Sequence, residues 1–331
     1  MRIPYLRAPF KPFLAVLAAL AIATAAAHAA AAAGDLRVIA PAASGGGWDQ
    51  TARAMRDVLE SVDPARAVEV VNIPGAGGTV GLAQVISGFK GSPDTLMVSG
   101  LVMVGAVQVA RSPATLDQVT PIARLTGEYE VIVVPAASPI RSMEDLLAQF
   151  RENPGAVSWG GGSAGGADHM LVGLLATAVG VDPASVNYVP FSGGGEALAA
   201  ILGGHVTVGV SGWSEFASQV RAGTLRALAI SAPAPVADIG VPTLKQQGVN
   251  LDLVNWRGVV APPGITDEQK RALADTVEAM ARSPAWKATL ERHGWLDLYQ
   301  TPDQFAAFLR VERGRVQSVL RDIGLLPRGG Q

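Results

Sequence analysis

The chain has 331 residues, a net charge of −2 and no cysteine. Without cysteine there can be no disulfide, no thiolate metal site, no cysteine nucleophile and no lipid-anchored cysteine. The near-neutral charge, with no Lys/Arg cluster beyond the N-terminus, argues against nucleic acid or an anionic membrane surface as a partner. Glycine is enriched, with 38 residues, and most of the functional information comes from where these glycines stand.

The first 29 residues have the three parts of a secretory signal peptide. A basic start with Arg2 and Arg7 precedes the apolar run 13–27, and the small residues Ala27 and Ala29 fit the positions that a signal peptidase reads. An uncleaved membrane anchor is the alternative, because an apolar run of nearly twenty residues can span a bilayer. Alanine is a weak membrane residue and no charged stop-transfer cluster follows. We therefore expect cleavage near Ala29 and release into the periplasm.

After residue 34, short apolar strands alternate with amphipathic helices. The first set of predicted strands is 36–40, 68–72, 96–99 and 130–135. The pattern then restarts, with predicted strands at 156–159, 186–189, 206–210 and 225–231 and a helix over 167–179. Such alternation implies parallel sheets that are covered by helices on both faces. Two successive sets predict two α/β lobes.

The C-terminal third is predicted to be helical. Thr266 with Gln269 and Thr301 with Gln304 form two capping boxes, which mark the N-termini of helices. Pro302 follows the second cap at the first helical position, where its missing N–H costs nothing.

At least five glycine turns follow predicted strands and open helices. The unpaired N–H groups at a helix start, with the positive end of the helix dipole, attract anions. Glycine also lets the backbone approach a ligand closely, and such turns lie at the carboxyl ends of strands, where open α/β sheets bind ligands. Any single turn is better explained as a tight connection between a strand and a helix. Five turns with hydroxyl residues favour a cleft for a dianion or trianion; the hydroxyl residues are Ser44, Thr79, Ser163, Ser192 and Ser211.

An enzyme motif overlaps the third glycine turn. Residues 161–165 match G-x-S-x-G, the nucleophile elbow, between a predicted strand and a predicted helix. His293 lies downstream, with Asp238 or Asp252 between it and Ser163. No HGGG-like oxyanion loop precedes Ser163, and His293 follows a helix rather than a strand. A secreted serine hydrolase that uses Ser163 is kept as the alternative function.

Cofactor and metal signals are weak. Gly160, Gly162 and Gly165 match the dinucleotide fingerprint, but no acidic residue ends the next strand to hold a ribose. Asp168 and His169 are adjacent and cannot share one helical face, so we predict no metal and no cofactor. Asp168, like Asp49, stands near a helix start, where it either caps the helix or accepts from a ligand hydroxyl, ammonium or water. Both readings stay open.

Four segments together resemble the tripartite tricarboxylate transporter receptors, within the wider group of Bug receptors. They are 41–53, 72–79, 188–197 and 255–264, and the likeness spans the chain after the signal peptide in order. Trp48 followed by Asp49 is similar to the tricarboxylate-receptor branch. Ser44 departs from the pattern, because proline is more usual at this position, and its hydroxyl alters the donors offered to a ligand.

The resemblance implies an α/β periplasmic binding protein of type II, not an enzyme. Its two lobes are joined by crossing strands and followed by a helical C-terminal segment, with lobe 1 at 34–135 plus 251–331 and lobe 2 at 136–250. The lobes would close by a hinge motion on a small di- or tricarboxylate held by backbone amides and ordered water. It also implies a monomer that delivers its ligand to a membrane permease with one large and one small subunit.

The predicted ligand contacts come from loops of both lobes. Arginine is nearly absent from these loops, with Arg53 the nearest, which favours neutral N–H and O–H donors over ion pairs. Trp48 either stacks on an aromatic ligand or walls the cleft, and the ligand itself stays open among citrate, smaller or aromatic dicarboxylates and an amino acid. The predicted residues are Ser44, Gly46, Gly47, Trp48, Asp49, Gly77, Gly78, Thr79, Ser163, Ala164, Asp168, His169, Ser192, Gly193 and Ser211.

Overall fold

The computed structural model describes residues 35–327, so the predicted signal peptide lies outside the described residues. The strands are β1 Leu36–Ala40, β2 Val68–Asn72, β3 Thr95–Gly100, β4 Thr120–Pro135, β5 Ser158–Gly161, β6 Asn187–Pro190, β7 Val208–Gly212, β8 Leu225–Ile230, β9 Val254–Ala261 and β10 Leu296–Gln300. The helices are α1 Gly47–Val62, α2 Thr79–Gly88, α3 Leu101–Val109, α4 Met143–Glu152, α5 Ala167–Ala178, α6 Gly194–Leu202, α7 Trp213–Arg221, α8 Asp267–Arg282, α9 Pro284–His293 and α10 Pro302–Asp322.

The strands form one mixed sheet in the order β2-β1-β3-β9-β4-β7-β5-β6, with β8 and β10 also paired to β4. Each end of this order has the predicted parallel βα units, since β1 pairs in parallel with β2 and β3, and β5 with β6 and β7. All pairs that involve β4 or β9 are antiparallel. The prediction of parallel sheets is therefore wrong for the centre of the molecule.

Two α/β lobes share strand β4. Residues 120–129 of β4 pair with β9, and its residues 130–135 pair with β7 and β8. Lobe 1 thus contains β1, β2, β3, β9 and β10, and lobe 2 contains β5 to β8. The predicted two-lobe α/β fold with a crossing strand is confirmed, while the residue boundaries of the lobes stay a prediction.

The C-terminal third is less helical than predicted. It supplies β9, which lies between β3 and β4 in lobe 1, and β10, which pairs with the lobe 1 part of β4. It also supplies three helices, and the predicted capping boxes at Thr266 and Thr301 are present at the starts of α8 and α10. Helix α10 docks on β9, where the indole N–H of Trp256 donates to Glu312 at 2.9 Å.

Between residues 35 and 327, none of the helices is both long and apolar enough to cross a bilayer.

Candidate ligand-binding cleft

A cleft of about 70 Å³ lies between the two lobes, a volume that suits a small molecule or a few waters. All five glycine turns reach it. Its walls are the turns after β1, β2, β5, β6 and β7, together with two side chains of β9; the lining residues are Pro41, Ala42, Gly46, Gly47, Trp48, Gly75, Ala76, Gly77, Gly78, Val102, Gly162, Ser163, Gly166, Ala167, Asp168, Ser192, Gly193, Gly194, Ser211, Glu215, Asn255 and Arg257.

The structure brings most of the predicted site residues to this cleft. Those that line it are Gly46, Gly47, Trp48, Gly77, Gly78, Ser163, Asp168, Ser192, Gly193 and Ser211. Those that do not are Ser44, Asp49, Thr79, Ala164 and His169. Ligand contact by any of them stays a prediction.

Asp49 holds the first loop rather than facing the cleft. Its carboxylate accepts from the N–H of Gly45 at 2.8 Å, from Asn72 at 2.9 Å and from Arg53 at 2.9 Å. Burial favours a higher pKa for this carboxyl, but the donors from Arg53, Gly45 and Asn72 outweigh it and hold the pKa below its usual value. Asp49 is therefore ionised and fully engaged by the protein.

Ser44 and Thr79 also bond to the protein, Ser44 to the end of β2 and Thr79 within its own loop. The Ser44 hydroxyl lies 3.4 Å from Oδ1 of Asn72, and the Thr79 hydroxyl donates to the carbonyl of Ala76 at 3.0 Å. Ala164 is exposed and lies outside the cleft, in the shallow groove next to Phe191.

Side chains of α5 and β6 hold the third turn in place. Asp168 accepts from the N–H of Gly162 at 2.5 Å, and the Tyr188 hydroxyl donates to the carbonyl of Gly162 at 2.7 Å. His169 stacks on Tyr188 with ring centroids 4.0 Å apart and accepts from the N–H of Gly165 at 3.3 Å. Burial lowers the pKa of His169 to about 4, so the ring is neutral near pH 7. These side chains fix the loop.

Several glycines make room for side chains of the protein itself rather than for a ligand. A Cβ on Gly47 would lie 2.2 Å from Nη2 of Arg257, and one on Gly78 would lie 2.6 Å from the Trp48 indole. Trp48 is buried against Gly78, so its ring walls the cleft. The glycine enrichment thus reflects close packing around the site.

Arg257 is the residue that the loop-based interpretation missed. It lies on β9, is 2% exposed, and pairs with Glu128 of β4, which is fully buried. Its guanidinium also lies 5.5 Å from the ring centroid of Trp295. The cleft therefore contains a cation, contrary to the expectation of neutral donors alone. Arg257 falls inside segment 255–264, the fourth of the segments that resemble the family, so the sequence did point to this region. It did not show that Arg257 lies on a strand that faces the cleft.

The backbone donors at the cleft come from both lobes. Helices α1, α5 and α6 start there, and none of the three has a side-chain cap. Over residues 35–327, the N–H groups of Gly47, Trp48 and Ala167 have no hydrogen-bond acceptor. Such groups, with the helix dipoles behind them, attract anions.

The alternative catalytic triad is not assembled. His293 stacks on Trp295, and Asp252 pairs with Lys245. No hydrogen bond joins Ser163 to a histidine in the part of the chain that the structure describes. The G-x-S-x-G match is thus a glycine turn without a general base.

Two relatives match most of the chain. Over 298 residues it is 28% identical to a protein from the gbd 5′ region of Cupriavidus necator, covering 88% of each chain. It is 28% identical to Protein BugT of Bordetella pertussis, covering 87% of this chain and 89% of that one.

Solved structures show the same fold. A periplasmic transporter superposes with a TM-score of 0.80 at 25% identity, covering 88% of this chain and 98% of that one. MatC from Rhodopseudomonas palustris with bound malate gives a TM-score of 0.77 at 23% identity over 87% and 99% of the chains. A second R. palustris protein, with adipate, gives 0.79 at 20% identity over 88% and 97%. The predicted type II binding-protein fold is thereby confirmed.

The sequence model described as "Tripartite tricarboxylate transporter family receptor" matches residues 51–325. The predicted family is therefore confirmed, and with it a solute-binding rather than an enzymatic role. The chain belongs to the tripartite tricarboxylate transporter family of periplasmic solute-binding receptors.

Proposed function

We propose that this receptor captures a small di- or tricarboxylate in the cleft and passes it to a membrane permease with one large and one small subunit. The convergence of three helix N-termini and Arg257 on one cleft carries this proposal, because all four place positive charge where carboxylates would lie. The two neighbours with malate and adipate bind dicarboxylates, which supports the same ligand class.

The proposed contacts come from both lobes, so the ligand bridges them. Gly47 and Trp48 of lobe 1 offer backbone N–H groups, and Ser163, Ser192 and Ser211 of lobe 2 offer hydroxyls. A ligand that bridges two lobes stabilises the closed state by its extra contacts there. Closure is a hinge motion at the crossing strands. Export with signal peptide cleavage near Ala29, and action as a periplasmic monomer, belong to the same proposal.

The test is a thermal-shift screen of the mature protein against di- and tricarboxylates, followed by calorimetry. A ligand at about a hundred times its dissociation constant stabilises the fold by about 2.7 kcal/mol. We expect Ser163→Ala to weaken binding of any hit, while Ser87→Ala, at the far end of α2, leaves it unchanged. Failure of every di- and tricarboxylate to shift the melting temperature would refute the ligand class.

Delivery is tested in the cells that make the protein. Uptake of the calorimetric hit should be lost when the receptor gene is deleted and restored by the wild-type receptor. Uptake that persists without the receptor would refute the transport role while leaving ligand capture intact.

A further inference from the structure

The cleft has more carboxyl groups than cations. Glu215 and Asp168 line it, and Glu128 and Glu130 of β4 lie buried behind it. Against these four acids, Arg257 is the one buried cation among the described residues that line the cleft. A site that is meant to take an anion cannot keep all four acids ionised, because uncompensated buried charge is very costly.

Glu215 is the acid that stands directly in the cleft. It belongs to the first turn of α7 in lobe 2, and its carboxyl reaches across to lobe 1. A Cβ on Gly194 would lie 1.8 Å from Oε2 of Glu215, and one on Gly47 would lie 3.0 Å from Oε1. The carboxyl therefore lies beside the N-termini of α6 and α1, next to the positions proposed for ligand carboxylates.

The surroundings of Glu215 favour its neutral form. Oε2 is buried and makes no hydrogen bond of normal geometry among the described residues, although the backbone N–H of Gly194 is near enough to favour the ionised form slightly. The Arg257 guanidinium is already paired with Glu128. Three other acids interact electrostatically with Glu215 and disfavour its ionisation; they are Glu128, Asp168 and Glu130. Burial raises the pKa of Glu215 to about 8, and the charges of Glu128 and Asp168 add to the rise. Arg257 and the backbone N–H of Gly194 lower the pKa but offset only part of this rise.

We propose that Glu215 recognises the ligand as a neutral carboxylic acid, donating the O–H of its side chain to a carboxylate oxygen of the bound anion. A protonated carboxyl has one O–H donor, and an O–H···O⁻ bond is among the stronger hydrogen bonds in proteins. The proposal rests on the proposed function, since it assumes an anionic carboxylate ligand.

Ligand binding then depends on the proton that Glu215 holds. Once Glu215 ionises, it repels the ligand and loses its donor, so affinity falls as pH rises through the pKa of the free protein. With that pKa at about 8, affinity at pH 9 should be about tenfold weaker than at pH 7. A ligand that instead offers an ammonium group to an ionised Glu215 would bind more tightly as pH rises.

The experiment is calorimetry on the mature protein between pH 7 and pH 9.5, with malate and adipate as probes. Both dicarboxylates are fully ionised over this range, so a change in affinity reports on the protein. We expect the wild type to weaken about tenfold between pH 7 and pH 9, and about thirtyfold by pH 9.5. Glu215→Gln, which keeps a donor and cannot titrate, should bind at pH 7 within a few-fold of wild type and lose the pH dependence. The control Glu144→Gln, an exposed acid in the first turn of α4, should behave as wild type.

A second measurement needs no variant. Wild-type binding measured near pH 8.5 in two buffers of different ionisation enthalpy should show proton uptake. Three results would overturn the role of Glu215 while leaving the receptor function standing. They are an affinity that is constant or rises with pH, a release of protons on binding, and a loss of binding in Glu215→Gln under conditions in which the wild type binds. If neither these probes nor any other di- or tricarboxylate binds at any pH, the proposed function fails first.

Discussion

Asn72, the last residue of β2, donates from Nδ2 to Oδ1 of Asp49 at 2.9 Å. The same amide nitrogen donates to the carbonyl of Ala42 at 3.0 Å. The end of the second strand is therefore tied to the loop after the first, and the two loops that form the lobe 1 wall of the cleft are held in register. The contact fixes where the N-terminus of α1 points.

Removal of the Asp49 carboxylate should loosen this wall. Asp49→Ala leaves the Gly45 N–H and one of the two amide N–H groups of Asn72 without an acceptor, and we expect a loss of about 1–3 kcal/mol in the free energy of unfolding. The control Asp57→Ala removes an exposed acid from the same helix and should cost less than 1 kcal/mol. Urea unfolding measures the free energy of unfolding of both variants. Equal losses in the two would show that the hydrogen bonds of Asp49 do not stabilise this wall.

Closure should depend on Gly105 of α3, which touches lobe 2. A Cβ on Gly105 would lie 1.9 Å from the carbonyl oxygen of Gly165, and backbone cannot rotate away as a side chain can. Gly105→Ala should therefore hold the lobes apart and weaken ligand binding tenfold or so, about 1.4 kcal/mol. Alanine is the better helix former, so the melting temperature without ligand should not fall.

The matched control for closure is Gly88→Ala at the end of α2, where a Cβ would meet nothing within 4 Å. Calorimetry and small-angle scattering with and without ligand check the prediction. Unchanged affinity in Gly105→Ala would mean that the contact does not limit closure.

The buried ion pair should matter far more for stability than a surface pair. Arg257→Met leaves Glu128, which is fully buried, without its cation, and we expect a loss of about 3–5 kcal/mol. Arg37→Met breaks the pair with Glu69, in which the side chains are 40% and 61% exposed, and should cost less than about 1 kcal/mol. Chemical denaturation of both variants at pH 7 compares them directly, and similar losses would refute this ranking.

Stability should fall as pH rises above about 4.5, in part because of Glu130. Burial raises its pKa well above the usual 4.5, and the charges of Asp168 and Glu128 raise it further. The folded protein therefore holds a proton that the unfolded chain has released, so the contribution is complete below pH 4.5 and is lost as pH rises towards the folded pKa. Glu130→Gln, neutral at every pH, should flatten the fall in melting temperature between pH 5 and pH 9. An unchanged slope would show that Glu130 is already ionised when folded.

The sequence alone was enough for the two-lobe α/β fold and for the loops that surround the cleft. Strands 36–40 and 68–72 and the start of helix α5 were predicted at their observed positions, because apolar periodicity and glycine turns are local signals. The same turns, taken in order along the chain, were enough to identify the family.

The strand arrangement at the centre of the molecule was decided only by the tertiary structure. Residues 120–129 of β4 and all of β9 lack a clean alternation of apolar residues, and they become strands by pairing with each other across more than a hundred residues of chain. That pairing carries Glu128 and Arg257 beneath the cleft, and the turn after β7 adds Glu215. Local sequence patterns predict neither which charges meet nor which acids are buried, because burial and the neighbouring charges that set a pKa exist only once both lobes have folded.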